Sequence, residues 1–442
     1  MVKDSIIPNH MDVYWHDYTG HVKDRPITGT SVPVKAALIG RVGLMLLSCG
    51  TGAWRVRNSM NALAEQLGVT CIANIGLLTI VYTCFDGQKT FTNSLCLIST
   101  GVNTSKLDRL ERFVKKFPDE GVHKTAEELQ SELDEIEKIR GRYTPARLGL
   151  AAGFACAAFT FLLGGGPVEM LCAFIGAGIG NFLRSRLIGR HLTMYLCIVS
   201  SVALACLCYI GSLRLLEHVF SISGGHEAGY VCSMLFIIPG FPFITSGIDL
   251  AKQDMRSGLE RLAYAVIIVM IATITAWGMS MALDIKPGAF TELGLSPALL
   301  LVLRLAASFV GVFGFSIMFN SPVKMAASAA VIGSIANTLR LELVDFTGLP
   351  AAAAAFVGAL TAGLLASLLM KRLGYPRISV TVPSIVIMVP GLYLYRAVYN
   401  IGEMSLTLSA PWLVSALLII IALPLGLIFA RIITDRSFRH CT

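Results

Sequence analysis

From residue 148 onward, apolar runs long enough to cross a bilayer follow one another with short polar gaps. They are Leu148–Leu163, Val168–Leu183, Leu192–Ile210, Ala228–Ile248 and Leu259–Leu283, then Ala298–Phe319, Val323–Leu339, Ala351–Met370, Ile378–Tyr399 and Leu413–Ile433. The pattern before them differs. From Val34 to Leu67 a helical period places Leu38, Val42 and Leu46 on one face, then Val56, Met60, Leu63 and Leu67. Gly50-Thr51-Gly52 interrupts it, which suits two helices or one kinked helix equally. Its first half, Ala36 to Cys49, is apolar but shorter than the roughly 17 residues a span needs, so it is expected against a domain core or the membrane surface. Strand-like runs follow at Cys71–Leu77, Leu78–Phe85 and Phe91–Ser99, with Asp86-Gly87 as a hairpin turn. Lys106–Phe117 and Thr125–Arg140 read as charged amphipathic helices, the second opened by a capping box of Thr125 and Glu128.

Two apolar runs are broken by proline and glycine. Pro239-Gly240, with Pro242 just after it, interrupts one, and Pro390-Gly391 interrupts another. Proline removes a backbone donor and clashes with the preceding turn, so each helix must kink or unwind there. Inside a membrane the freed backbone groups need protein or a water-lined cavity. Broken helices at corresponding positions of two halves point to a transporter's binding site.

The two halves do correspond. GGPVEMLCAFIGAGIGNFLR, Gly165 to Arg184, aligns with NSPVKMAASAAVIGSIANTLR, Asn320 to Arg340, matching Asn181 with Asn337 and Arg184 with Arg340. Pro239-Gly240 then matches Pro390-Gly391, and Asp249 falls opposite Asn400. Five spans per repeat is odd, so the second repeat must be inverted relative to the first. Lysine and arginine placement agrees: Arg184, Arg186, Arg190, Lys252, Arg256, Arg261, Lys324, Lys371, Arg372 and Arg377 fall on one side, with Arg436 and Arg439 of the tail, and Arg214, Lys286 and Arg340 on the other. The expected architecture is a polytopic α-helical membrane protein of about ten spans in two inverted five-helix repeats, preceded by a small cytoplasmic α+β domain. Its parts are a disordered or loosely attached polar tail (1–33), the α+β domain (34–147), the first repeat (148–285), a connector (286–296), the second repeat (297–433) and a cytoplasmic tail (434–442). Both termini are expected inside the cell, with the chain multi-pass in the plasma or inner membrane.

Composition supports the membrane assignment. Of 442 residues, 55% are hydrophobic and 14% charged, against roughly 25% charged in soluble domains. The formal charge of +8 fits cytoplasmic loops, and no nucleic-acid partner is expected. Eleven cysteines include no CxxC pair, and many sit inside apolar runs as small packing residues, so neither a disulfide framework nor a metal site is expected. The first 30 residues lack the basic start and apolar core of a signal peptide. No P-loop is present, which argues against ATP hydrolysis, and no catalytic constellation or cofactor motif stands out.

The stretches GRVGLMLLSCGTGAWRV (from Gly40), FLLGGG (from Phe161), IIPGFPFITSGIDLAKQDMRSGLERL (from Ile237), FNSPVKMAASAAVIGSIANTLR (from Phe319) and VPSIVIMVPGLYLYR (from Val382) carry a resemblance. With them the chain resembles the threonine/serine exporter family, including its bacterial form split across two chains, from about Val34 to the C-terminus. The resemblance implies export of a small polar metabolite: threonine and serine driven by the proton-motive force, or, for two-chain members, dicarboxylates such as succinate. One departure is Arg57, which follows Arg55-Val56 where the resemblance implies an acidic residue.

A polar metabolite needs a site away from lipid, where its charges meet helix ends or paired side chains. The candidates are Pro239, Gly240, Pro390 and Gly391 for freed backbone, Asn181 and Asn337 as buried amides, and Asn400, which follows the second break as Asp249 follows the first. Arg184, Arg340 and Arg396 are candidate carboxylate ligands, and Tyr393 and Tyr395 candidate lining. Asp249 is a candidate for a substrate ammonium or the coupled proton. Each has a plainer alternative: helix packing for the amides, snorkelling or structural ion pairs for the arginines, an interfacial belt for the tyrosines, and a helix-end carboxylate for Asp249. The charges around 252–261 read as a solvated loop, and His218 and His226 as loop histidines. The partners implied are an amino acid or dicarboxylate, protons and lipid, with a homo-oligomer left open. A non-transporting scaffold or sensor is the rival, which the paired breaks disfavour.

Overall fold

The computed structural model describes residues 13–19, 25–139, 141–220, 226–285, 288, 290 and 293–439. The chain forms two compact units. The first comprises residues 1–142 together with Ile248–Arg261, and the second Tyr143–Gly247 with Leu262–Thr442.

The first unit is built on α1 (Val32–Ser48), whose residues Val34 to Leu47 are all buried. This helix is a domain core element, which is why it can be buried on all sides at only 17 residues. Gly50 takes a φ of +80°, a conformation costly for other residues, and the chain restarts as α2 (Ala53–Gln66). Three strands follow as an antiparallel meander: β1 (Thr70–Ile75), β2 (Thr79–Phe85) and β3 (Thr90–Cys96). In β2, Ile80, Tyr82 and Cys84 point inward. The Tyr82 hydroxyl donates to the Ala36 carbonyl of α1 at 2.9 Å, and Gly40 leaves room for its ring. The Asp86 carboxylate accepts the amides of Gln88 and Lys89 and closes the β2–β3 hairpin.

Helices α3 (Thr104–Lys116) and α4 (Ala126–Glu137) complete this unit, and Thr125 and Glu128 form the expected capping box. Arg41 of α1 is only 2% exposed. It donates to the Gln130 carbonyl and side chain and pairs with Asp134 and Glu137 of α4. Part of the expected polar tail is packed: Trp15 is buried beneath the Arg41 guanidinium, and His16 bonds Glu127 and Asp134. Residues 1–12 and 20–24 lie outside the described residues.

The second unit is helical: α5 (Pro145–Leu162), α6 (Pro167–Ile188), α7 (Met194–Phe220), a 3-10 segment (His226–Ile237), α8 (Gly240–Ala251, its last residues in the first unit), α9 (Met255–Ala282, its first residues likewise), α10 (Pro297–Met318), α11 (Val323–Thr347), α12 (Ala351–Leu373), α13 (Arg377–Val386), α14 (Gly391–Gly402) and α15 (Leu406–Thr434). Among the described residues, eight helices are long and apolar enough to span a membrane, or up to ten if each of two bent pairs is one span. The protein is therefore a polytopic α-helical membrane protein. Small residues let its helices approach closely: a Cβ on Gly149 would fall 2.7 Å from the Gly178 carbonyl, and one on Gly314 2.5 Å from the Ala151 carbonyl.

The same turns recur at equivalent positions of the two halves. After α5 and α10 the chain turns through Gly164 and Asn320, both at positive φ, and the amides of Gly165 and Ser321 return to Thr160 and Ser316. After α8 and α14 it turns through Gln253 and Met404, again both positive, with the amides of Asp254 and Ser405 bonding the Asp249 and Asn400 carbonyls.

Candidate transport site

The two proline-glycine breaks fold alike. At the first, the 3-10 segment meets α8 at a 60° bend, and at the second α13 meets α14 at 50°. The Gly240 amide bonds the Ile238 carbonyl and the Gly391 amide the Val389 carbonyl, each at 2.8 Å. Each new helix then starts with an amide returning to the proline carbonyl: Phe243 to Pro239 and Leu394 to Pro390.

The breaks also interlock. A Cβ on Gly240 would lie 3.1–3.3 Å from Val389 and Val386, beside the second break, and one on Gly391 would lie 2.8–3.0 Å from Leu235 and Ile238, beside the first. Each glycine is the gap into which the other break packs. An apolar cavity of about 10 Å³ lies at the junction, walled by Leu235, Ile238, Val386, Val389 and Gly391 with Phe159 and Phe315. That is room for about one water, too small for a metabolite.

Polar groups gather round the second break. Arg340 of α11 reaches the Met388 carbonyl at 3.5 Å and interacts with Tyr393, while its Nε is buried without a partner among the described residues. Tyr393 and Arg396 both pack on Trp412 of α15, the guanidinium 4.6 Å from the ring. Tyr395 is buried against Tyr230 of the 3-10 segment, and their hydroxyls share a hydrogen bond.

The other candidates lie elsewhere. Asn181 bonds the Leu148 carbonyl at 2.8 Å and so ties α6 to α5. Asn337 bonds Ser308 at 2.8 Å, tying α11 to α10, and its Oδ1 is buried with no partner among the described residues. Arg184 lies near Tyr264 and Cys197. Asn400 bonds the Arg396 carbonyl of its own helix.

Asp249 belongs to the first unit and is fully buried. It accepts the Ala53 amide at the start of α2, accepts from Ser257, and pairs with Arg261 at 3.2 Å. Arg261, also buried, donates to the Gly50 and Thr51 carbonyls. Glu260 accepts the Leu77 amide, and Asp254 pairs with Arg57, the residue that departs from the family pattern. The 252–261 charges, expected as a solvated loop, are thus largely bonded into the first unit, with Arg261 carrying the most buried contacts. Local pattern misses this because the partners are about 200 residues apart.

Glu169 carries no signal in the local sequence pattern, and His226, expected as a loop histidine, packs against it. The histidine is mostly buried and bonds Glu169 at 2.8 Å, because the 3-10 segment after it folds back onto α6. Among the described residues no group of three or more metal-ligating side chains occurs.

Residues 37–285 match the family model "Putative threonine/serine exporter", and residues 304–433 match "Threonine/Serine exporter, ThrE". The chain is 24% identical to the probable threonine/serine exporter of Mycobacterium tuberculosis over 81% of its own length and 68% of that protein. It is 26% identical to the probable succinate transporter subunit YjjP of Escherichia coli over 54% of its length and 92% of that subunit, and 25% identical to the corresponding subunit of Klebsiella aerogenes over 53% and 91%. No solved structure matches. With two family models covering both halves, the chain belongs to the threonine/serine exporter family.

Proposed function

We propose that this membrane exporter is a secondary active transporter of small polar metabolites, of the threonine/serine type, driven by the proton-motive force. The observation that carries the reading is the pair of like-folded, interlocked breaks. A rigid bundle has no use for two unwound turns packed into one another, whereas alternating access needs an element with two packings at the centre. Each half supplies one break. If each bent pair crosses the bilayer once, each half has five spans and the halves are inverted, with both termini and the first unit cytoplasmic. Parting the breaks would open a path flanked by Arg340, Tyr393, Tyr395 and Arg396, with the freed backbone at Pro239-Gly240 and Pro390-Gly391. Asn181, Asn337, Arg184 and Asn400 would set the packing round it.

A second reading, export of a dicarboxylate, is favoured by the charges. Arg184, Arg340 and Arg396 have no acidic partner among the described residues, whereas an amino acid also needs an acceptor for its ammonium. Asp249 is held by Arg261, so a proton placed on it would leave that arginine buried without its counter-charge. An Asp249→Asn protein that still concentrates substrate under a pH gradient removes it as the proton carrier.

The test is efflux from proteoliposomes loaded with labelled threonine, serine or succinate, with and without an imposed pH gradient. Gradient-dependent movement of one class establishes a coupled exporter and selects the substrate. Movement that only equilibrates indicates a facilitator, and no movement of any of them refutes the reading.

A further inference from the structure

Among the described residues, Glu169 is the one buried acidic side chain of the second unit, 3% exposed. It stands in the first turn of α6, where its Oε2 accepts the Gly166 amide at 3.0 Å and its Oε1 meets His226 Nδ1 at 2.8 Å. His226 opens the 3-10 segment that leads to the first break, and its carbonyl accepts the Tyr209 hydroxyl of α7 at 2.7 Å. Nothing separates this segment from the pair: a Cβ on Gly229 would fall 2.4 Å from the Tyr209 hydroxyl and 2.9 Å from Glu169 Cβ. The next residue, Tyr230, bonds Tyr395 beyond the second break. The pair therefore sits at the root of a short strut that touches both breaks.

Two titratable groups that share a hydrogen bond in a membrane unit can hold one proton between them. With imidazole neutral and the carboxylate charged, the pair carries −1. One more proton makes it neutral overall, at a site where net charge is costly. Histidine is the side chain whose charge ordinarily changes between about pH 5 and 8. The helix N-terminus supports the carboxylate in its charged form, so the empty state is tolerated as well as the loaded one. Among the described residues, few other ionisable groups face the pair. Alpha 7 brings Tyr209 and Glu217, the latter bonded to Arg214; α6 brings Cys172; the 3-10 segment brings Cys232. Alpha 5 presents Thr160 beside Gly165, and the connector presents Leu293 beside Gly166.

We propose that Glu169 and His226 form the proton-binding site of the exporter, and that proton binding sets how tightly the 226–237 strut is held to α6 and hence whether the breaks can part. The proposal rests on the proton-driven reading above. It is tested on the full chain in proteoliposomes with whichever labelled substrate the wild type moves. Two quantities are measured: accumulation under an imposed pH gradient, and exchange at equilibrium without one.

Glu169→Gln does not titrate, and it keeps both contacts if its oxygen accepts the Gly166 amide and its NH2 donates to His226 Nδ1 in the Nε2–H tautomer. The expected result is loss of driven accumulation by about tenfold with exchange kept within about threefold, the size of a typical coupling between two bound ligands. His226→Gln is expected to flatten the pH profile of exchange. Driven accumulation at the wild-type level in Glu169→Gln overturns the proposal. So does equal loss of exchange and accumulation in a monodisperse Glu169→Gln protein, which marks a purely structural cap. If Glu169→Gln does not fold, His226→Gln decides: an unchanged profile overturns the site and a flattened one supports it. A wild type that shows no gradient dependence sinks the proton-driven reading instead, and the pH profile of exchange then tests the pair alone.

Discussion

Arg261→Met is the most informative single perturbation of the first unit. Methionine keeps the stem and removes the guanidinium. Asp249, fully buried, then keeps only the Ala53 amide and the Ser257 hydroxyl, and the Gly50 and Thr51 carbonyls lose their Arg261 donors. Removing one partner of a buried ion pair costs about 3–5 kcal/mol, because the remaining charge stays out of water. For a unit of this size each kcal/mol moves the melting temperature by about 2–4 °C, so a drop on the order of 10 °C is expected. Scanning fluorimetry of the solubilised full chain reads it, with Trp54 as a nearby reporter, since Lys252 of the same loop stacks on its ring. Asp249→Asn and the double variant complete a cycle. Losing both charges removes the uncompensated ion, so the double variant should be less damaged than the two single losses summed, by about 2 kcal/mol. Losses that add to within about 0.5 kcal/mol would refute the claim that the two act as a unit.

Three further outcomes follow from the geometry. Gly391→Ala and Gly240→Ala should both impair efflux, Gly391→Ala the more, because its Cβ meets Leu235 at 2.8 Å whereas that of Gly240 meets Val389 at 3.1 Å; overpacking of this kind costs about 1–3 kcal/mol, and wild-type efflux in both variants contradicts the interlock. Arg340→Gln should raise KM for a carboxylate substrate by roughly 10- to 150-fold, the equivalent of a charged hydrogen bond worth about 1.5–3 kcal/mol, and an unchanged KM removes Arg340 from the path. Burial pulls the His16 pKa down, but hydrogen bonds to Asp134 and Glu127 and their charges lift it above the usual value overall. A raised folded-state pKa stabilises below the unfolded value and is lost as pH rises through the folded one. His16→Gln should therefore lower the melting temperature near about pH 6 and leave it almost unchanged near about pH 8.5, with a cost of about 0.2–1 kcal/mol because the pair is half exposed; equal shifts at both pH values contradict it.

What the sequence discloses is what neighbours in the chain decide. The helix stop at Gly50-Thr51-Gly52, the Asp86-Gly87 hairpin and the Thr125/Glu128 cap are local devices, and the structure has each where the pattern places it. Strand ends other than Phe85 lie one to three residues from the expected places, since pairing fixes them: β1 ends at Ile75, where its register with Ile80 closes. The interlock of the breaks, the Asp249–Arg261 node and the Glu169–His226 pair were not legible. Their members stand 8 to about 200 residues apart, and nothing in a single sequence reports which side of a fold each faces. His226 shows the limit best. Beside polar residues it reads as a loop histidine, and only the folding back of the twelve-residue segment that it opens covers most of it.

The reciprocal glycines carry a consequence for how such a molecule is assembled. Neither half can complete its own centre: the hollow at Gly240 is filled by valines from the C-terminal half, and that at Gly391 by Leu235 and Ile238 from the N-terminal half. Severed within the connector between α9 and α10, the chain would give two fragments with mating apolar faces, each insoluble in its own company and complementary to the other. Co-production should restore a working pair where either alone fails, and the two polypeptides would then drift only in step, a change of bulk in one break answered by a change of bulk in the other.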